Sequence, residues 1–204
     1  TGCGILLELA RVFAAATEKP KRTMIFAAVT AEEQGLLGSK YLGQHPPIPA
    51  GNISLDLNYD DIQPLGEPRQ LVVSGAERTS VYPQVEKVAK EFAMEIQPDD
   101  HPEAGHYYRS DHFSLARVGV PAFSVNEGVL FKGHDLAWGE EKERDYVAHR
   151  YHQPSDQYRA DMDFAADAKV AKFGLVLGWE VANESTLAGW QQGDEFEKAR
   201  KMGQ

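Results

Sequence analysis

Residues 22–29, reading RTMIFAAV, form a short and nearly continuous apolar run between two stretches of helical periodicity. A strand with one wet face alternates apolar and polar residues; a run like this one must be covered on both faces. That requirement predicts a largely parallel sheet with helices packed on either side. The flanking patterns agree. Residues 4–18 repeat Ile5, Leu9, Val12, Phe13 and Ala16 at helical spacing and stop at Lys19-Pro20. Residues 30–35 read as a polar turn, 36–42 as a short helix, and Pro46, Pro47 and Pro49 as a rigid connector.

Further along, residues 52–59 (NISLDLNY) alternate as a strand does, and 70–74 form another short strand. Residues 79–94 carry Val81, Val85, Val88 and Phe92 on one helical face. A loop over 97–109 is rich in His, Asp, Pro and Gly; a helix over 110–118 and a strand over 122–125 follow. Residues 126–160 read as one long irregular segment, dense in charge and aromatics. Residues 163–185 form a long helix, and 193–204 a short surface helix. The alternation predicts an α/β fold, a three-layer α/β/α sandwich with a mostly parallel mixed central sheet, built as a single domain over 1–204. In such sheets sites form where strands end and loops begin.

Composition narrows the functions. The chain of 204 residues has 21 Lys+Arg against 31 Asp+Glu, a formal net charge of -10. This balance disfavours nucleic acid and anionic membrane surfaces as partners, since both need a basic face. No apolar run reaches the ~20 residues of a spanning helix. Cys3 is the single cysteine, which excludes an internal disulfide and a paired-cysteine metal site.

The chemistry-bearing residues fall at the expected strand ends. Glu32 and Glu33 follow the 22–29 run directly. Two adjacent carboxylates divide naturally into a metal ligand and a proton acceptor, although the same string also starts solvated helices. Asp56, Asn58 and Asp60 share one face of the next strand, and Asp60 stands at its end. His152 lies four residues before Asp156, a spacing that suits a ligand and the carboxylate orienting it. Ser110, Asp111 and His112 are adjacent; their side chains diverge, which argues against a serine-hydrolase triad. His101 and His106 lack a ligand-like spacing.

Taken in order, the strings LLELAR (6–11), PKRTMIF (20–26), AEEQGLLGS (31–39), LNYD (57–60), RSDHF (109–113), GVPA (119–122) and YHQPSD (151–156) resemble the co-catalytic zinc aminopeptidases. That family also contains glutamate carboxypeptidase and the transferrin receptor ectodomain. The resemblance implies that Glu32 is the general base, that Glu33 and His152 bind one zinc, and that Asp60 binds the other. It implies that Asp156 orients His152, and that Tyr107 or Tyr108, with Ser110 and Asp111, borders a peptide substrate. It also places a His-x-Asp and a metal-bridging Asp ahead of Thr1, so these residues are expected to lack the N-terminal strands and two of five ligands. Two zinc ions are implied for an intact site, and one or none for these residues alone. The sheet edge so left calls for a partner or a second copy to cover it, and an exported location is implied. The segment 126–160 is expected to border the substrate cleft, with Phe131, Trp138, Tyr146 and Tyr151 shaping an apolar pocket. Alternatives within the resemblance are a carboxypeptidase using Arg109 or Arg150, a glutaminyl cyclase, and a non-catalytic receptor-like module.

Overall fold

The computed structural model describes residues 1–98 and 105–202. The helices are α1 (Gly2–Ala15), α2 (Leu37–Gln44), α3 (Tyr82–Glu91), α4 (His112–Ala116), α5 (Leu136–His149), α6 (Ala165–Asn183) and α7 (Glu197–Met202). The strands are β1 (Asp56–Asn58), β2 (Gln70–Val72), β3 (Glu95–Gln97), β4 (Ala122–Ser124) and β5 (Asn126–Glu127). β1 and β4 pair in parallel, with Leu57 opposite Phe123. Val125 extends this contact by donating to the Asn58 carbonyl at 2.9 Å. β5 then pairs antiparallel with β2, and β2 pairs in parallel with β3. The strands form two short sheets, β1–β4 and β3–β2–β5, and the chain passes from one to the other through Val125.

The two-residue period of the strands separates two apolar layers. Phe123 and Val125 join Ile5, Leu71, Val85 and Phe173 in a core beneath α1, α3 and α6. Ala122 faces the other way, toward Leu115, Trp190 and Phe196 beside α4 and α7. This is an α/β fold with helices on both faces of the β1–β4 pair.

Residues 22–29 depart from the expectation. They are extended but form no ladder among the described residues. Phe26 packs against the first core, whereas Ile25 is 47% exposed and Val29 36%. One side is backed by α1 and α6 and the other is open, so the continuous run is only half covered. A groove of about 560 Å³ is lined by residues 22–26 and by residues 52–57. The second departure is α5, a helix of 14 residues within the segment expected to be irregular. The 97–109 loop also closes with a short 3₁₀ turn over His106–Arg109; residues 99–104, including His101, lie outside the described residues. Among the described residues no helix is long and apolar enough to cross a membrane.

Candidate functional site

A tight turn presents the Glu32-Glu33 pair. The Glu32 carbonyl accepts from Gly35 and Leu36 at 2.9 and 2.7 Å, and Gly38 closes onto the Thr30 carbonyl at 2.9 Å. Gly38 is required there, because a Cβ would stand 2.4 Å from that carbonyl oxygen. Ala31 and Leu36, on either side of the pair, adopt positive φ of 57° and 60°. The turn is therefore held in a conformation that residues with a Cβ avoid.

From the far side of the site comes His152, itself at φ 58°. Its Nε2 lies 2.6 Å from Glu33 Oε1. The Tyr151 ring lies over the imidazole, centroids 3.8 Å apart and planes 23° from parallel. Asp60 accepts from Ser110 Oγ at 2.9 Å, and Asn58 Nδ2 donates to that same Oγ at 2.8 Å. Asp111, beside it, is pushed above the ordinary carboxylate range by burial and then by Asp60. Residues 119 positions apart in sequence are thus brought to one place at the sheet's rim.

The electrostatics follow from this crowding. Glu32 is raised above its ordinary range first by burial, then by the charges of Asp60, Glu33 and Asp111, with His152 opposing. Tyr151 is raised by burial and by Glu33, Asp60 and Glu32, so its hydroxyl stays protonated. Asp56, the first residue of β1, is the more deeply buried strand carboxyl; burial and Asp111 push it up to about 7.

Three expectations need correction. Tyr107 is a core residue whose hydroxyl donates to the Ala122 carbonyl at 3.0 Å, and Tyr108 donates to Glu195 at 2.7 Å. Both hydroxyls are occupied, because these rings pack around the Arg78 guanidinium and Phe113. Asp156 accepts from the Tyr146 hydroxyl at 3.3 Å rather than from the His152 ring. Tyr151 is the tyrosine at the site; its position next to His152 was the signal available in the sequence. Among the described residues no three His, Cys, Asp or Glu side chains are gathered into a ready metal cage.

Residues 1–175 match the family model described as peptidase family M28. A protein of Pyrenophora teres f. teres named "Probable zinc metalloprotease" is 47% identical over 60 residues, 29% of this chain and 12% of that protein. One of the same name from Pyricularia oryzae is 42% identical over 62 residues, 30% of this chain and 12% of the other. Among solved structures, the Legionella pneumophila LapA aminopeptidase superposes with a TM-score of 0.68 at 20% identity, over 90% of this chain and 46% of LapA. The matches therefore span about one eighth of the curated relatives and about half of LapA.

Proposed function

Because the chain belongs to peptidase family M28, we propose that it forms the catalytic part of a zinc-dependent exopeptidase, an aminopeptidase acting on the free N-terminus of a peptide. The observation that carries this is the meeting of the Glu33 carboxylate and the His152 imidazole at 2.6 Å, with Glu32 next to them. A hard carboxylate oxygen and an imidazole nitrogen suit zinc. Both side chains are about half exposed or more, so the pair is free to open around an ion. Glu33 and His152 would hold one zinc, and Asp60 would belong to the other. Bound zinc polarises a carbonyl and lowers the pKa of water.

The chain's own residues supply the rest. Glu32 accepts the proton of the attacking water and returns it to the leaving amine; a carboxylate raised toward neutrality does both more readily. The protonated Tyr151 hydroxyl is a donor at the same rim, suited to an oxygen gaining charge. The acidic surroundings of Asp60, Glu33 and Asp111 favour a cationic α-amine. Arg150 is spent on Asp145, which removes one of the two arginines suggested for binding a substrate carboxylate.

The test pairs metal content with hydrolysis of a leucine nitroanilide and of an N-blocked counterpart. Glu32→Gln is expected to keep zinc while losing roughly 10²–10⁴-fold in turnover. Parental turnover in that variant would remove Glu32 from the mechanism. Equal cleavage of the blocked substrate would remove the aminopeptidase reading. Asp60→Asn and Asp56→Asn, compared for zinc content, separate the two strand carboxylates; loss in Asp60→Asn is expected.

A further inference from the structure

We propose that Glu195 is a positioning residue: through Tyr108 and Arg78 it ties the C-terminal segment to the turn that carries Ser110, and so holds in place the hydroxyl that donates to Asp60. The segment concerned, residues 187–202, lies beyond the stretch 1–175 matched by the family model. One carboxylate oxygen, Glu195 Oε1, accepts from the Tyr108 hydroxyl at 2.7 Å and from Arg78 Nη2 at 2.8 Å. Tyr108 stands in the turn His106–Arg109, two residues before Ser110. Ser110 Oγ donates to Asp60 Oδ2 at 2.9 Å and accepts from Asn58 Nδ2. A continuous path of hydrogen bonds and a short stretch of backbone thus leads from the C-terminal segment to Asp60.

An ion pair in open solvent holds little in place. This one is anchored at its inner end. Arg78 Nε donates to Asp194 Oδ2 at 2.8 Å, and the two side chains are only 19% and 8% exposed. The same guanidinium lies 4.6 Å from the centre of the Tyr107 ring and 4.9 Å from that of Phe196. A planar fork so held presents its remaining donors in a fixed direction, which fixes the carboxylate that accepts from them. The backbone of the segment is pinned on both sides of Glu195. Before it, Gln191 N donates to the Arg78 carbonyl at 2.7 Å and Trp190 Nε1 to the Gly119 carbonyl at 3.0 Å. After it, Arg200 donates to the carbonyls of Ala50 and Ile53 at 3.1 and 2.8 Å. The Tyr108 ring meets Phe113 of α4 edge-on at 5.2 Å, so apolar contact seats the ring and Glu195 fixes its hydroxyl. Tyr108 is 43% exposed and the Glu195 side chain 51%. Neither fills the core, so their polar atoms can be removed without opening a cavity.

The consequence for zinc rests on the metal-centre reading; the tie between the C-terminal segment and the Ser110 turn does not. The experiment therefore begins on metal-free protein, with hydrogen exchange followed at residues 108–114. Tyr108→Phe keeps the ring and removes the hydroxyl; Glu195→Ala removes the acceptor. Each is expected to speed exchange there by about three- to tenfold, the weight of one hydrogen bond. Because both act through one contact, Tyr108→Phe should add nothing in the Glu195→Ala background, a coupling that general loosening would not give. Glu195→Gln keeps an acceptor oxygen and should stay near the parental rate. Tyr158→Phe, at a tyrosine 77% exposed, is the control and should change nothing. In zinc-loaded protein, Ser110→Ala removes a direct partner of Asp60 and should weaken zinc binding by about tenfold or more. Tyr108→Phe should weaken it by a smaller factor, and by nothing further once residue 110 is alanine. Unchanged exchange in Tyr108→Phe, an effect that persists in Glu195→Ala, faster exchange spread equally to β2, or a loss of zinc by Tyr108→Phe that is the same with and without Ser110 would overturn the proposal. Should the parent take up no zinc while exchange responds as described, the metal-centre reading fails and the tie stands.

Discussion

Ala31, Leu36 and His152 all hold a left-handed backbone that glycine would adopt freely. Each costs on the order of 1–2 kcal/mol. Strain of this kind survives where surrounding bonds over-determine it, as the bond from Leu37 N to the Ala31 carbonyl at 3.1 Å does. Two opposite effects are expected at residue 31. Ala31→Gly should leave stability within roughly 0.5 kcal/mol, because relief of strain offsets the added freedom of the unfolded chain. Ala31→Val should lose roughly 1–3 kcal/mol, since a branched side chain tolerates positive φ worst. Urea unfolding of the pair decides it, and equal losses would mean that the turn is not strained. A second expectation concerns Glu127, which burial pushes up to about 8. A carboxyl whose folded pKa is raised binds its proton more tightly in the folded state. Its contribution is complete below the unfolded pKa and is lost as pH rises toward 8, by about 1.4 kcal/mol per pH unit within that window. The metal-free protein should therefore melt lower at pH 8 than at pH 5. Glu127→Gln should flatten the difference, and an unchanged slope would clear Glu127 of it. The Glu32-Glu33 pair and His152 were legible because adjacency and motif order survive in sequence. The buried state of Glu127 was not, since it depends on which chain segments cover it.

Among the elements, α5 is the instructive one. Sequence periodicity did not reveal it, because only Gly139 of its 14 residues is buried and no apolar stripe forms. Its start was readable, since Asp135 accepts from the Trp138 N–H at 3.0 Å as an N-cap. β3 and β5 escaped because each lies at the edge of a stretch read as something else, β3 just past the 79–94 helix and β5 at the start of the 126–160 segment. α6 was legible because nine of its residues are buried along one continuous surface. The single buried position of α5 carries its seating. A Cβ at Gly139 would lie 1.6 Å from the Val129 carbonyl oxygen, which belongs to the backbone and cannot swing aside. Gly139→Ala should therefore lift α5 off the sheet edge at a cost of roughly 1–3 kcal/mol. Because Glu143 rides on that helix and its Oε2 accepts from Gln63 Nε2 at 2.6 Å, exchange at residues 60–63 should rise with it. A variant that melts with the parent and keeps these amides protected would show that α5 has room to shift.

At the scale of the whole molecule, the order of elements gave away the layered α/β design, and the composition allowed two apolar layers to form around the β1–β4 pair. What the run at 22–29 could not reveal is which of its faces finds a neighbour within these residues. Apolarity states that a segment requires cover and is silent on what provides it. In the structure a groove stays open between residues 22–26 and 52–57, with side chains of α1 and α6 also lining it. Ile25 and Ile48, which line it, are 47% and 41% exposed. An extended segment without a ladder partner among the described residues, set beside exposed apolar side chains, is a template for pairing with other strands. Self-association of this chain should accordingly proceed through that face, a second copy standing in for the missing cover. Ile25→Lys places a charge on the open side, where a side chain already half in water costs little, within about 0.5 kcal/mol. Sedimentation of parent and variant at matched concentrations should show the larger species recede in Ile25→Lys while the melting temperature holds. Association that persists undiminished would mean that copies meet on another surface and that the open run is not the adhesive one.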